Sequence, residues 1–123
     1  MTRINVVDVS TLSRLHLIAE KREITRVFTL VRNAQNRGKN KWNIVAPKEY
    51  TLGTGHVLFF YPRLKYILTR YKELSNEMRS RGYSPNQISD ESLLAGIHPS
   101  WMGDYTPTPE AIEINLQRIK ERS

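Results

Sequence analysis

Three polar side chains interrupt the apolar face of a helix that the sequence predicts near its N-terminus. Projected at about 100° per residue, His16, Glu20 and Glu23 fall within the stripe formed by apolar residues between positions 12 and 34. A carboxylate on such a stripe needs a cation or an open cleft, because burying it unpaired is costly. For His16 and Glu20, a structural ion-pair network or a solvent-facing edge is an equal alternative. Glu23 is the candidate catalytic carboxylate, since perturbed carboxylates beside basic clusters are typical of active sites.

Arginines lie close to these carboxylates in the sequence. Arg22 and Arg26 are one helical turn apart on the flank of the stripe. Arg3 lies on the leading segment, by which we mean the residues that precede the first predicted helix. A guanidinium offers a fork of donors that suits phosphate oxygens. The spacing therefore predicts a phosphate-binding cluster, although many solvated helix faces carry similar pairs.

The positive charge is concentrated in the N-terminal two-thirds of the chain. Residues 1–81 contain 16 basic and 6 acidic side chains, whereas residues 82–123 contain 3 and 6. A surplus of this kind favours a polyanionic partner, of which nucleic acid is the commonest. A solubilising surface charge is the alternative.

Apolar spacing and end signals predict the helices that must position these residues. The three main helices are expected at residues 10 or 11 to 37, at residues 62 to 81, and from Thr108, with Thr108 as N-cap and Pro109 in the first turn. A short helix beginning at Ser89 is also possible. Strand-like alternation is nearly absent, so we expect an all-α fold, a single compact domain over residues 1–123 with long ordered loops.

Composition excludes several classes of protein. The 123 residues include no cysteine, so a disulfide scaffold, a thiol nucleophile and a thiolate zinc site are excluded. His56 and His98 have no partner at metal-ligand spacing, and LGTGH (residues 52–56) has neither a dinucleotide nor a Walker spacing, so it predicts a tight turn. No apolar run is long enough for a membrane span, and no secretory signal is recognisable. We expect a cytoplasmic protein that neither enters a membrane nor uses a metal or cofactor.

Several segments occur together and in order: MTRIN, HLIAEKREITRVF (residues 16–28), LGTGHVLFFY (52–61), RGY (81–83) and MGDYTP (102–107). In this combination the chain resembles the pyrimidine-dimer DNA glycosylase family, whose best-known member is the T-even-phage endonuclease V. The resemblance covers nearly the whole chain. It implies a mostly helical domain that binds damaged double-stranded DNA as a monomer, removes a damaged pyrimidine and then nicks the strand.

The resemblance also implies roles for individual residues. The nucleophile would be the α-amine of Thr2, exposed after removal of Met1, and the catalytic carboxylate would be Glu23. Arg3, Arg22 and Arg26 match cations that grip phosphates around the lesion, and His16 matches a neighbouring contact. Near the C-terminus, Arg118 and Arg122 match further phosphate contacts.

The resemblance departs at the C-terminus. The phage enzyme carries an aromatic-rich tail associated with dimer recognition, and no such segment follows Arg122 in this sequence. Trp42 and Trp101 are candidate replacements as stacking surfaces, with packing roles as the alternative for each. The lesion spectrum is therefore the least constrained property of the predicted enzyme.

The sequence thus predicts a DNA repair glycosylase with abasic-site lyase activity that acts on cyclobutane pyrimidine dimers through a Schiff base at Thr2. Two alternatives remain at this point. One is a non-catalytic basic DNA-binding module of the same fold. The other is a glycosylase of this family for a different damaged base. Under any of these interpretations we expect the cytoplasmic protein to be associated with the nucleoid when it is bound to DNA.

Overall fold

The computed structural model describes residues 2–122, whose regular secondary structure consists of helices joined by loops, with no strand. The α-helices are α1 (Arg14–Glu23), α2 (Arg26–Asn36), α3 (Leu64–Ser80), α4 (Asp90–Leu94) and α5 (Pro109–Glu121), and short 3₁₀ turns lie at Val9–Thr11, Leu58–Phe60 and Pro99–Trp101. The only β-type pairing within residues 2–122 is an isolated bridge between Arg63 and Met102. The predicted all-α class is confirmed.

The prediction of one long first helix was wrong, because that region is divided at two places. Leu12 and Ser13 are extended, and the Ser13 hydroxyl accepts a hydrogen bond from the His16 backbone N–H, which starts α1 only at Arg14. At the second break, the Val27 N–H bonds to the Ile24 carbonyl three residues back, a 3₁₀-type contact. This tighter turn separates α1 from α2 while Ile24 stays fully buried.

The second predicted helix begins two residues later than expected. Pro62 and Arg63 precede α3, because the Pro62 carbonyl accepts from the Gly103 N–H and the Gly103 carbonyl accepts from the Lys65 N–H. This pairing with a segment distant in sequence holds Arg63 in a non-helical conformation. The helix start is thus set by tertiary hydrogen bonds that the apolar pattern does not report.

The predicted caps of the later helices are confirmed. The Thr108 hydroxyl accepts from the Ala111 N–H at 3.0 Å, with Pro109 in the first turn of α5. The Ser89 hydroxyl caps α4 in the same way, accepting from the Ser92 N–H at 3.2 Å. These signals are local, so they act regardless of the surrounding fold.

The leading segment runs extended through the core instead of lying on the surface. Ile4, Val6 and Val7 are each at most 5% exposed and pack with apolar residues of α1, α2 and α3. Their burial stabilises the folded position of the leading segment, at about 25 cal/mol per Å² of apolar surface removed from water. The first residues of the chain are therefore held in place by the same core that stabilises the domain.

Candidate functional site

A cleft of about 260 Å³ lies between the leading segment, α1 and the C-terminal end of α5. Its walls contain seven polar or charged side chains: Arg3, Asn5, His16, Glu20, Glu23, Arg118 and Arg122. The structure thus brings together six residues that the sequence singled out, although Arg118 and Arg122 are far from the others along the chain. The cleft is the candidate functional site.

The Glu23 carboxylate is placed at the start of the chain. Its Oε1 accepts a hydrogen bond from the Arg3 backbone N–H at 3.1 Å. Thr2, which is half-buried, directly precedes this contact. A chain beginning at residue 2 would therefore present its α-amine one residue away from the Glu23 carboxylate, while Met1 itself lies outside the described residues.

Further contacts hold the leading segment behind Arg3. The Ile4 N–H donates to the Nε2 atom of His56 at 2.9 Å, and the Tyr50 hydroxyl donates to the Ile4 carbonyl at 3.1 Å. The Asn115 side-chain oxygen accepts from the N–H groups of Val6 and Val7 at 2.6 and 3.2 Å. Because buried backbone groups need partners, these contacts give an extended segment the hydrogen bonds that a strand would obtain from a sheet.

Glu20 has a structural role, which resolves the alternatives for this residue. It is 2% exposed, and its carboxylate receives two hydrogen bonds from the Arg70 guanidinium, at 2.8 and 3.1 Å. The Asn5 amide donates to the same carboxylate at 2.8 Å, and Arg70 also donates to the Val7 carbonyl. Glu20 therefore belongs to a buried ion-pair network at the wall of the cleft that also binds the leading segment.

Three arginines of the cleft walls are in no ion pair within the part of the chain that the structure describes. The ion pairs within residues 2–122 are Glu20 with Arg70, Asp90 with Lys72, and Glu77 with Arg81, so none of them neutralises Arg3, Arg118 or Arg122. Partial burial and the positive charges of Arg3 and Arg122 lower the pKa of Arg118, with the Tyr50 hydroxyl offsetting part of the effect. Like charges held together in this way are suited to an anionic ligand.

His16 adds a polar atom without a partner to this wall. Its Nδ1 atom is buried and has no hydrogen-bond partner among the described residues. A buried polar atom without a partner is costly, so His16 departs from the usual pairing of buried polar groups. No ion-pair network includes His16 within residues 2–122, in contrast to Glu20.

Arg22 and Arg26 are placed differently from the other predicted phosphate contacts. Both side chains are exposed, and neither lines the cleft. They lie on either side of the turn at Ile24, with Arg22 in α1 and Arg26 starting α2. Their predicted contacts with phosphates would therefore be made outside the cleft, and those contacts stay a prediction.

Four residues of the site's support were not identified from the sequence: Asn5, His56, Arg70 and Asn115. The sequence predicted a tight turn at LGTGH, and in the structure this turn positions His56. Gly53 and Gly55 adopt φ of 68° and 94°, which glycine tolerates best, and the loop directs His56 into the core. A Cβ at Gly55 would also come within 3.1 Å of Pro47. The contacts of His56 with Ile4, of Asn115 with Val6 and of Arg70 with Glu20 each span 50 or more positions, so no local signal reveals them.

A family model described as pyrimidine dimer DNA glycosylase matches residues 1–90. The chain belongs to this family. The match contains the leading segment, the whole of α1 and the His56 loop, so it covers the Glu23 side of the cleft. This pyrimidine dimer DNA glycosylase acts on damaged DNA, which agrees with the cationic walls of the site. The α5 arginines lie beyond the matched residues.

Within residues 2–122 the glycosylase has no cluster of acidic and histidine side chains arranged to hold a metal ion. None of its described helices has the length and apolar character needed to cross a bilayer.

Proposed function

We propose that this glycosylase excises cyclobutane pyrimidine dimers from double-stranded DNA and cleaves the strand through a Schiff base at the α-amine of Thr2. The observation that carries the proposal is the hydrogen bond between the Arg3 N–H and the Glu23 carboxylate at the cationic cleft. It keeps the first residue of a processed chain next to the acidic side chain. A monomer is sufficient, because all the proposed groups come from one chain.

The amine is suited to nucleophilic attack near neutral pH. An α-amino group has an ordinary pKa of about 7.7 to 8.0, well below that of lysine at about 10.4, so a sizeable fraction is uncharged. The neighbouring arginines favour the neutral form further. The amine lone pair attacks C1′ of the deoxyribose, and the glycosidic C–N bond breaks with its electron pair leaving on the base.

Glu23 serves two steps of this reaction. Its negative charge stabilises the cationic sugar while the base departs. The attached nitrogen gives up a proton to the departing base. Its lone pair then forms the imine as the C1′–O4′ bond breaks, with O4′ taking a proton from water as the hydroxyl of the opened sugar. The carboxylate then takes the C2′ proton. The C–H electrons form a C2′=C3′ double bond, and the bond from C3′ to the 3′ phosphate breaks with its electrons on the phosphate. Water then hydrolyses the imine and frees the amine.

The position of the amine can be tested by controlling Met1. We expect Thr2→Ser, whose small side chain also permits Met1 removal, to form a covalent complex with ultraviolet-irradiated duplex in the presence of borohydride. Thr2→Leu should retain Met1 and lose the complex, and mass spectrometry of the intact protein verifies both processing states. The same Thr2→Leu chain released from a cleavable fusion so that it begins at residue 2 should regain trapping. Equal trapping with Met1 retained would contradict the proposal.

The two tryptophans have different environments, which separates their candidate roles. Trp101 is fully buried, and its indole N–H donates to Gln35 at 3.2 Å, so it is a packing residue. Trp42 is 76% exposed in a loop, where it directly follows Lys41 and lies three residues after Lys39. The Asn40 side chain accepts from the Trp42 N–H at 2.9 Å, which orders this loop. We propose that Trp42 stacks on nucleic acid.

Trp42→Ala is expected to weaken binding to damaged duplex roughly 5- to 150-fold, because stacking of one base on an aromatic side chain is worth about 1–3 kcal/mol. Fluorescence anisotropy with labelled duplex measures the change. Val45→Ala is the matched control, since Val45 is 87% exposed in the same region and has no ring. Unchanged affinity in both variants would exclude stacking by Trp42.

A further inference from the structure

His56 is a buried histidine whose protonation state is defined by its two partners. The side chain is 3% exposed. Its Nδ1 atom lies 2.8 Å from the Thr51 carbonyl oxygen, which can only accept, so Nδ1 carries the hydrogen. Its Nε2 atom accepts from the Ile4 N–H at 2.9 Å and therefore has no hydrogen of its own. The ring is neutral, and its lone pair is used to hold the leading segment.

The surroundings of the ring favour this neutral state. Tyr50 and Phe60 pack against it edge-on, with ring centroids 5.4 and 5.9 Å away. The charged groups that act on it are Arg3 on the leading segment and Arg118 on α5, and Tyr50 is the titratable neighbour on its own loop. Burial is the largest cause that lowers the pKa of His56, and the two arginines add to it.

Going along the chain from Arg3, whose N–H bonds to Glu23, the next residue held by a distant partner is Ile4, which bonds to His56. Ile4 is held on both sides, by His56 at its N–H and by the Tyr50 hydroxyl at its carbonyl. The contacts of Asn115 and Arg70 fix Val6 and Val7, which lie farther from the start of the chain. Release of Ile4 would therefore free the residues nearest to the proposed nucleophile while the rest of the segment stayed bound.

We propose that His56 is the positioning residue for the α-amine, acting through the Ile4 backbone, and that its protonation in acid releases the start of the chain from the Glu23 carboxylate. This inference rests on the proposed role of the Thr2 amine. A protonated Nε2 would direct its hydrogen at the Ile4 N–H, so two donors would face each other and the anchor would be lost. His56 does not touch the DNA cleft, since it is absent from the cleft walls.

The sign of the pH effect follows from the lowered pKa. The folded protein prefers neutral His56, so the stability supplied by this group is complete above about pH 6.5, the ordinary histidine value. It is lost as the pH falls from there through the lower pKa of the folded state. The Schiff-base rate should fall as the pH drops through that lower folded-state pKa, by more than protonation of the amine explains.

The test compares two substitutions of His56 in single-turnover borohydride trapping on a duplex containing an abasic site. His56→Leu removes the acceptor and should slow trapping on the order of 10- to 100-fold, the scale of a small misplacement of a reacting group. Its affinity for the duplex should stay within about 2-fold, because the phosphate-binding arginines are unchanged. His56→Gln keeps an acceptor that does not titrate, and it should restore most of the rate.

Two readouts separate positioning from a merely structural role. The ratio of wild-type to His56→Gln trapping rates should fall as the pH drops through the lowered pKa of folded His56, because only the wild type then loses its acceptor. Amide hydrogen exchange at Ile4 should accelerate in His56→Leu, and this measurement does not depend on activity. If His56→Leu does not fold, two measurements on His56→Gln still test the positioning role. They are the pH dependence of the ratio of trapping rates and the rate of amide hydrogen exchange at Ile4.

The outcomes distinguish this inference from the proposed function. Wild-type trapping combined with an unchanged rate in His56→Leu, or with a pH ratio that stays flat, would overturn the positioning role and leave the Schiff base intact. No trapping by the processed wild type would defeat the proposed function, and the positioning role with it. Slower trapping with rescue by glutamine and faster Ile4 exchange would support both.

Discussion

Glu23→Gln is expected to lose base release and imine trapping by at least about 100-fold, the lower range for removal of a general acid or base. A glutamine oxygen can still accept from the Arg3 N–H, which Glu23 contacts at 3.1 Å, so the leading segment should keep its position. What the variant lacks is the negative charge that stabilises the cationic sugar and the base that takes the C2′ proton. The effect should therefore appear in the rate and not in the fold.

The measurement is single-turnover cleavage and borohydride trapping on ultraviolet-irradiated duplex, with affinity determined in parallel. Affinity should be equal to that of the wild type or greater, because a carboxylate beside DNA phosphates is repulsive. Glu91→Gln is the matched control, since Glu91 is an exposed residue of α4 that does not line the cleft. Trapping by Glu23→Gln at the wild-type rate would remove this residue from the mechanism.

The second large effect concerns stability. Arg70→Met is expected to lower the free energy of unfolding by about 3–5 kcal/mol, because it leaves the Glu20 carboxylate buried without its cation. The side chains of Arg70 and Glu20 are only 3% and 1% exposed, so water cannot replace the lost partner. The loss of the Arg70 bond to the Val7 carbonyl should loosen the leading segment as well. Urea unfolding monitored by circular dichroism measures the change.

The exposed pair between Lys72 and Asp90 provides the comparison. These side chains are 44% and 48% exposed, so Lys72→Met should change stability by no more than about 1 kcal/mol. The double variant Arg70→Met with Glu20→Gln should be less destabilised than the sum of the two single changes, because it leaves no unpaired buried charge. Similar losses of unfolding free energy in Arg70→Met and Lys72→Met would show that the buried ion pair contributes no more to stability than the exposed one.

Much of the fold was predictable because its signals are local. The Thr108 and Ser89 caps and the apolar stripe of α3 act within a few residues of themselves, and the structure places helices there. The first helix was predicted wrongly because the feature that divides it is not visible in the apolar pattern. Its apolar spacing continues across Ile24, and the pattern does not record that a 3₁₀-type contact at Val27 interrupts the regular hydrogen bonds there.

The residue types of the candidate site could be predicted from the sequence, but the residues that hold them in place could not. The misplaced carboxylates on α1 were visible as exceptions to an apolar pattern, but only the structure separates them. Glu20 pairs with Arg70, which lies 50 residues away, whereas Glu23 accepts from the Arg3 N–H at the cleft. Arg22 and Arg26 had the spacing of a phosphate site, yet they are exposed outside the cleft walls.

The sequence by itself determined the helical class, the family and the residues able to supply the amine, the carboxylate and the cations, because these follow from residue types and short-range spacing. Tertiary structure alone decided which carboxylate is free to act and how the start of the chain is held beside it. Those outcomes depend on contacts such as Ile4 with His56 and Val6 with Asn115, across 52 and 109 residues. Pairings of that kind form only when the whole core assembles, so no local pattern encodes them.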